Sequence, residues 1–182
     1  SYGDGKLTVT AGLAGDRQSE DRLGFENFVG SALGVQGRLR RDETNRASTL
    51  DPYTQAEWAT ADWTLTAGLR HSRVRFESSD RFIRPGNPDD SGSVRFSGTS
   101  PVLGLRHALS DQVQAFASFG RGLETPTLNE VAYRPSGLTG LNQNLSAATS
   151  RSAEAGLRGR HGWGAWSATL FDTRTEDEIV VL

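Results

Sequence analysis

A chain whose side chains alternate apolar and polar has few ways to fold, because only an extended strand sends successive side chains to opposite faces. This sequence alternates repeatedly. Leu7, Val9, Ala11 and Leu13 are interleaved with Lys6, Thr8, Thr10 and Gly12, and Trp63, Leu65, Ala67 and Leu69 with Thr64, Thr66, Gly68 and Arg70. Val113, Ala115, Ala117 and Phe119 alternate with Gln114, Ser118 and Gly120, a run that Phe116 interrupts. Ala153, Ala155 and Leu157 alternate with Glu154, Gly156, Arg158 and Arg160, and Trp166, Ala168 and Leu170 with Ser167 and Thr169. Glycine at 21 of 182 residues favours strands and turns over helices. Apolar runs are short, as in Ile179 to Leu182, whereas a spanning helix needs about 20 such residues. An all-β fold is expected.

Alternation alone fits a soluble β-sandwich, which buries its apolar face, and a membrane barrel, which turns that face to lipid. Connection lengths separate the two. Ala61-Asp62, Ser110-Asp111 and His161 to Gly164 read as tight hairpin links, while 80–94 and 124–148 are long. Short and long links in strict alternation are the pattern of outer-membrane barrels, with short periplasmic turns and long outer loops. All four tryptophans, Trp58, Trp63, Trp163 and Trp166, fall beside short turns, where an amphipathic indole suits a bilayer interface.

Strand direction must alternate through hairpins, and this rejects one candidate. Val29, Leu33, Val35 and Leu39 are apolar at even spacing, but a spanning strand there would send the long, charged stretch 15–28 to the periplasmic side. Residues 19–50 are therefore expected to form one large outer excursion, with room for its own hairpin. Seven spanning strands remain, near 6–18, 51–60, 63–79, 95–109, 112–123, 149–160 and 164–180. The fold class is an antiparallel up-and-down transmembrane β-barrel segment.

The chain has no Cys, which excludes disulfides and thiolate metal sites. It opens at Ser1 in mid-pattern with no leader-like segment, so it is expected to be cut from something longer. A net charge of −2 makes no case for nucleic-acid binding.

His71, His107 and His161 are scattered over three connections without companions at ligand spacing, so no metal or cofactor is expected. His71 and Ser72 are adjacent on a strand and face opposite ways, which denies them a catalytic dyad. Pro85 to Gly92 holds two carboxylates that could take calcium, but its residues are also ordinary turn formers. Glu176, Asp177 and Glu178 read as a solvated strand end. Nineteen of the 20 basic residues are arginine, the exception being Lys6. Arg40, Arg41, Arg46, Arg81, Arg84 and Arg134 fall in the outer loops, where guanidinium can grip a carboxylate, a phosphate or an anionic chelate bidentately. The same groups could instead meet lipopolysaccharide phosphates or water. Arg70, Arg158 and Arg160, with Glu57 and Glu154, point away from the apolar face toward a polar lumen.

The stretch Phe116-Ala-Ser-Phe-Gly-Arg-Gly-Leu-Glu-Thr-Pro-Thr-Leu-Asn-Glu130 resembles the segment of TonB-dependent receptors in which a strand climbs into an outer loop. Gly140-Leu-Asn-Gln-Asn-Leu145 and Thr149 to Leu157 are similar to that family's loop return, with Gln143, Ala147 and Ala148 departing from its usual Pro and Pro-Glu. Phe171-Asp-Thr-Arg-Thr-Glu-Asp-Glu-Ile-Val180 resembles the next strand. Asp51 to Trp58 and the hairpin after it extend the match more loosely.

The resemblance implies a bacterial outer-membrane location and a place in a 22-stranded barrel. Residues 1–182 would be an internal piece lacking the plug domain. Implied partners are outer-membrane lipid and lipopolysaccharide, with the plug domain and TonB reached through the rest of the parent. The implied activity is energised import of a scarce ligand, a ferric siderophore foremost, with cobalamin, haem and oligosaccharides as alternatives. No enzyme is implied. Ligand contact is expected from Tyr133 and Arg134 in the loop 124–145 and from Arg81 and Arg84. The alternative is a secreted β-sandwich binding sugar or protein through its long loops.

Overall fold

The computed structural model describes residues 5–131, 140–142 and 144–178. Its elements in chain order are β1 (Lys6–Phe25), β2 (Phe28–Val29), β3 (Ala32–Leu33), β4 (Leu39–Ala59), β5 (Trp63–Asp80), β6 (Gly92–Ser110), β7 (Val113–Glu124), α1 (Leu128–Val131), β8 (Ala148–His161) and β9 (Gly164–Glu176). The seven long strands form one sheet in the order β1-β4-β5-β6-β7-β8-β9, and β2 pairs only with β3. Every neighbouring pair is antiparallel. Among the described residues β1 and β9 are free edges, so the sheet does not close on itself.

The expected strand count and hairpins agree with this arrangement, and no spanning strand runs over Val29 to Leu39, whose last residue instead opens β4. Strand length differs at the first pair. β1 runs to Phe25 and β4 starts at Leu39, paired without a break from Lys6↔Ala59 to Gly24↔Arg41. Most of the expected excursion 19–50 is thus ladder, and only its tip carries the small β2–β3 hairpin. The alternation signal needs apolar side chains on one face, and here it is lost because β1 buries no residue past Gln18 while β4 turns the polar Asn45 and the small Ala47 to the packed side. The backbone ladder needs no such contrast, because each N–H and C=O is satisfied by the partner strand. The histidines also sit on strands rather than connections: His71 on β5, His107 on β6 and His161 on β8. β9 ends at Glu176, short of the expected 180: Asp177 and Glu178 are not strand, and residues 179–182 lie outside the described set.

Register carries the apolar stripe across the whole sheet. Leu7 faces Trp58, Trp58 faces Leu65, Leu65 faces Leu105, and the row continues through Ala117 and Ala155 to Leu170. This face lies open: Leu7 is 63% and Leu170 83% exposed. A β-sandwich would lay a second sheet over it. Among the described residues the long strands make a single sheet and nothing covers the stripe, so the sandwich alternative is overturned. Trp58, Trp63 and Trp166 share the apolar side near the short turns, and Trp163 sits in the turn before β9. The Trp63 ring stacks on His107 at 3.8 Å.

The opposite face is polar and cross-linked. Arg70 pairs with the buried Asp51. Ser118 donates to Glu154 at 3.0 Å, and Arg158 donates to Gln114 at 3.3 and 3.2 Å. Phe116, which breaks the alternation of its strand, turns to this side, where its register partner Gly156 makes room for the ring.

Candidate ligand-binding surface at the long-loop end

The small apolar core lies at the long-loop end of the polar face. Phe76 and Phe96, edge to face at 6.2 Å, are covered by Val131 and Leu141 from the segment between β7 and β8. Leu128, Leu145 and Ala147 of the same segment pack around them. α1 holds its place through a reciprocal cap. The Thr127 backbone N–H donates to Glu130 Oε2 at 2.7 Å, and Thr127 Oγ1 accepts from the Glu130 N–H at 3.3 Å. Gly140 has a φ of +85°, and a Cβ there would come within 3.3 Å of the Asp90 carbonyl oxygen. That close approach ties the β7–β8 loop to the β5–β6 loop. The base of the loop 124–145 is therefore a packed structural element, whereas Tyr133 and Arg134 fall outside the described residues.

Arg81 and Arg84 are only three positions apart but have different surroundings. Arg81 is engaged by its own chain: Nε and Nη2 donate to Asp42 at 2.8 and 2.6 Å, Nη1 reaches Asp21 at 3.4 Å and bonds Thr44 as well. The hydrogen bond from Thr44, with Arg81 adding to it, holds the Asp21 carboxyl below the usual carboxylate range, and the Asp42 bond raises Arg81 further. This cluster ties the long β1–β4 hairpin to the start of the β5–β6 loop. Arg84 instead lies over the Phe82 ring at 4.1 Å, and its backbone exchanges hydrogen bonds with Asn87.

Arg84 lines a cleft of about 640 Å³ between the tip of the β1–β4 hairpin and the β5–β6 loop. Arg22, Arg40 and Arg41 line it too, and Glu26 is its one carboxylate. Glu26 is already held by Arg38, which donates from Nε and Nη2 at 3.1 and 3.0 Å and keeps its carboxyl below the usual range. Arg22 and Arg41 lean on Glu43 at 3.4 and 3.8 Å, whereas Arg40 and Arg84 make no ion pair among the described residues. Sequence reasoning had Arg40 and Arg41 as loop cations. It missed Arg22, since nothing in the sequence tells that this residue faces Glu43 across a ladder.

Among the described residues no three His, Asp or Glu converge as for a metal. His71 Nδ1 lies 2.9 Å from Thr99 Oγ1, its cross-strand neighbour.

A family model described as TonB dependent receptor-like, beta-barrel matches residues 1–182. The vitamin B12 transporter BtuB of Vibrio vulnificus (strain YJ016) is 45% identical over 94 residues, which cover 52% of this chain and 14% of the transporter. Among solved structures, the unliganded ferric citrate transporter FecA superposes with a TM-score of 0.69 at 16% identity, covering 96% of this chain and 25% of that one. The closed form of the ferric-catecholate import receptor Fiu from E. coli K12 gives 0.67 at 15% identity, over 96% and 29%. The siderophore receptor PiuA of Acinetobacter baumannii gives 0.67 at 14% identity, over 94% and 29%. The chain thus spans only a small part of the proteins it matches, and at these identities the structural likeness speaks for the fold alone. The match along the entire chain and the one-sheet meander agree: the chain belongs to the TonB-dependent receptor-like β-barrel family, whose members are outer-membrane receptors and transporters.

Proposed function

We propose that this chain forms part of the wall of a receptor that captures an anionic small ligand, a ferric siderophore, at the cell surface for TonB-energised import. The cleft at the long-loop end carries this reading. Four arginines converge there, two of them without an ion pair among the described residues, and the one lining carboxylate is committed to Arg38. Guanidinium groups grip carboxylate and catecholate oxygens through paired N–H donors, so such a mouth suits a negatively charged chelate better than a neutral ligand. In this reading Arg84 and Arg40 touch ligand, with Tyr133 and Arg134 as further contacts from the neighbouring loop. Arg81 positions the loop that carries Arg84. The polar face with Arg70, Asp51, Glu154 and Arg158 lines the lumen against a plug domain, and that domain and the TonB-contacting segment belong to the rest of the parent receptor.

The relationship to a vitamin B12 transporter supports a second reading, in which the ligand is a corrinoid. Uptake by the full-length receptor separates the two. Arg40→Ala with Arg84→Ala, and separately Tyr133→Ala with Arg134→Ala, are assayed for surface abundance and for uptake of ferric siderophores and of vitamin B12. Normal abundance with siderophore uptake reduced about tenfold, the loss of one or two charge-assisted hydrogen bonds, is the expected result. Uptake of vitamin B12 alone would establish the corrinoid reading. Unchanged siderophore uptake in both variants would remove these residues from the site.

A further inference from the structure

Toward the long loops the seven-stranded sheet divides in two. β6 pairs with β5 from Gly92 to His107 but with β7 only from Val102 to Ser110, and that second ladder stops at Val102↔Gly120. The hydrogen-bond pattern explains where it stops. The Ala108 N–H donates to the Asp62 carbonyl, in the turn before β5, at 2.8 Å. Bonded and non-bonded pairs alternate along an antiparallel ladder, so the even-numbered residues of β6 are satisfied by β5 and the odd-numbered ones turn their N–H and C=O toward β7. Pro101 is the first odd residue past the last pair, and it has no N–H with which to continue. Beyond it Ser93, Arg95, Ser97 and Thr99 present backbone donors and acceptors that no strand meets among the described residues.

Part of this edge is closed. Leu123 of β7 leans on Gly98, where a Cβ would meet the leucine Cδ atoms at 2.8 and 2.9 Å. β7 then ends at Glu124 and the chain turns inward, with Pro126 and Val131 fully buried. The edge from Gly92 to Ser97 stays open over about six residues, or roughly 20 Å. It lies roughly 13 to 18 residues from the short-turn end at Ser110, past the 9 to 11 that a tilted strand needs to cross the hydrocarbon layer. Its two faces differ in chemistry. On one, Arg95 is exposed, with Arg75 opposite it on β5 and Arg73 opposite Ser97. Arg75 is paired with Glu77 at 2.6 Å, whereas Arg73 and Arg95 make no ion pair among the described residues, and β6 has no carboxylate along its whole length. On the other face Phe96 and Val94 belong to the small apolar core. A second copy of this edge, paired antiparallel about its centre, would set Arg95 against Arg95, a like-charge pair that disfavours self-association. The charge selects an anionic strand instead.

We propose that the Gly92–Ser97 edge of β6 takes up an extended acidic segment of a partner protein at the cell surface as an added strand. Backbone bonds to Ser93, Arg95 and Ser97 hold the guest, its carboxylates fall on the Arg95 face, and apolar residues alternating with them fall on the Phe96 face. The surface location rests on the long loops facing outward, which the cysteine labelling in the Discussion tests separately. The probe is an end-blocked eight-residue peptide of alternating glutamate and valine, titrated into the full-length receptor in detergent. Controls are the same composition as one block of each residue, a lysine-for-glutamate version, and a version N-methylated at alternate positions so that it cannot donate. The alternating acidic peptide is expected to bind, more weakly as salt rises, and each control to bind at least about fivefold more weakly. Ser97→Pro removes one edge donor while leaving the bonds to β5 intact, as Pro101 does, and should weaken binding about fivefold; Arg95→Gln should weaken it about threefold. Mobility of the unheated protein on a gel verifies folding, and if Ser97→Pro does not fold, the N-methylated peptide on the wild type tests the same bond. Residue-level amide exchange supplies the second readout: Arg95 and Ser97 should exchange much faster than Val94 and Phe96 in the free receptor and slow down on adding the peptide. Equal binding of the alternating and block peptides overturns the proposal, as does protection of Arg95 and Ser97 before any peptide is added, or no binding at all.

Discussion

Replacing Leu157 by arginine tests the assignment of faces at a position where the cost can be worked out. Leu157 is four residues from the end of β8 at His161, roughly 13 Å along the strand. At a tilt near 40° this is about 10 Å of depth in an apolar band about 25 Å tall, close to its middle. Its cross-strand neighbours are Ala115 and Ala168, which present no carboxylate to a buried guanidinium. A cationic side chain near the midplane of a barrel's lipid face costs about 2–4 kcal/mol, and the slight offset from the midplane places the expected loss at about 2–3 kcal/mol. Arg158, the next residue, points the other way, bonded to Gln114 and 5.9 Å from the Phe116 ring. Arg158→Ala should therefore cost less than about 1 kcal/mol. Urea titration of the full-length receptor in lipid vesicles, followed by gel mobility and tryptophan fluorescence, measures both. Equal losses at the two positions, or a loss below about 1 kcal/mol for Leu157→Arg, would refute the lipid-facing assignment.

Two further expectations concern topology and packing. On intact cells carrying the full-length receptor, Ile83→Cys in the long β5–β6 loop should react with an impermeant maleimide and Asp111→Cys in a short turn should not; labelling at Asp111 alone would invert the orientation. Gly156→Ala should destabilise by about 1–3 kcal/mol, since its Cβ would collide with the Ala168 carbonyl oxygen and sit 2.8 Å from the Phe116 ring. The same denaturation assay checks this, and a change within about 0.5 kcal/mol would show that the Phe116 side of the sheet is more loosely packed than the structure has it.

The alternating runs, the tight links at 61–62, 110–111 and 161–164 and the tryptophans beside them were legible because each reports a local contrast. A side chain meets lipid or water, and a link is short or long, whatever lies elsewhere in the chain. Even the rejection of a spanning strand over Val29 to Leu39 followed from strand parity alone. The extension of β1 to Phe25 and of β4 back to Leu39 was not legible, for β1 buries no residue there and β4 turns the polar Asn45 and the small Ala47 to the packed side, so no apolar alternation marks either strand. The partners of Arg81 were hidden for a different reason. Asp42 and Asp21 lie 39 and 60 residues away, and only the register of two ladders brings them within reach. Arg22 entered the cleft in the same way.

The sequence by itself determined that this chain makes antiparallel strands with one apolar face, that short and long links alternate along it, and which family it resembles. The tertiary structure alone decided which arginines are spent on carboxylates and which line the cleft. Solvent contrast acts on one residue at a time and leaves its mark in the order of amino acids. Stagger between strands is a relation between distant segments, and it becomes visible only when the sheet is assembled.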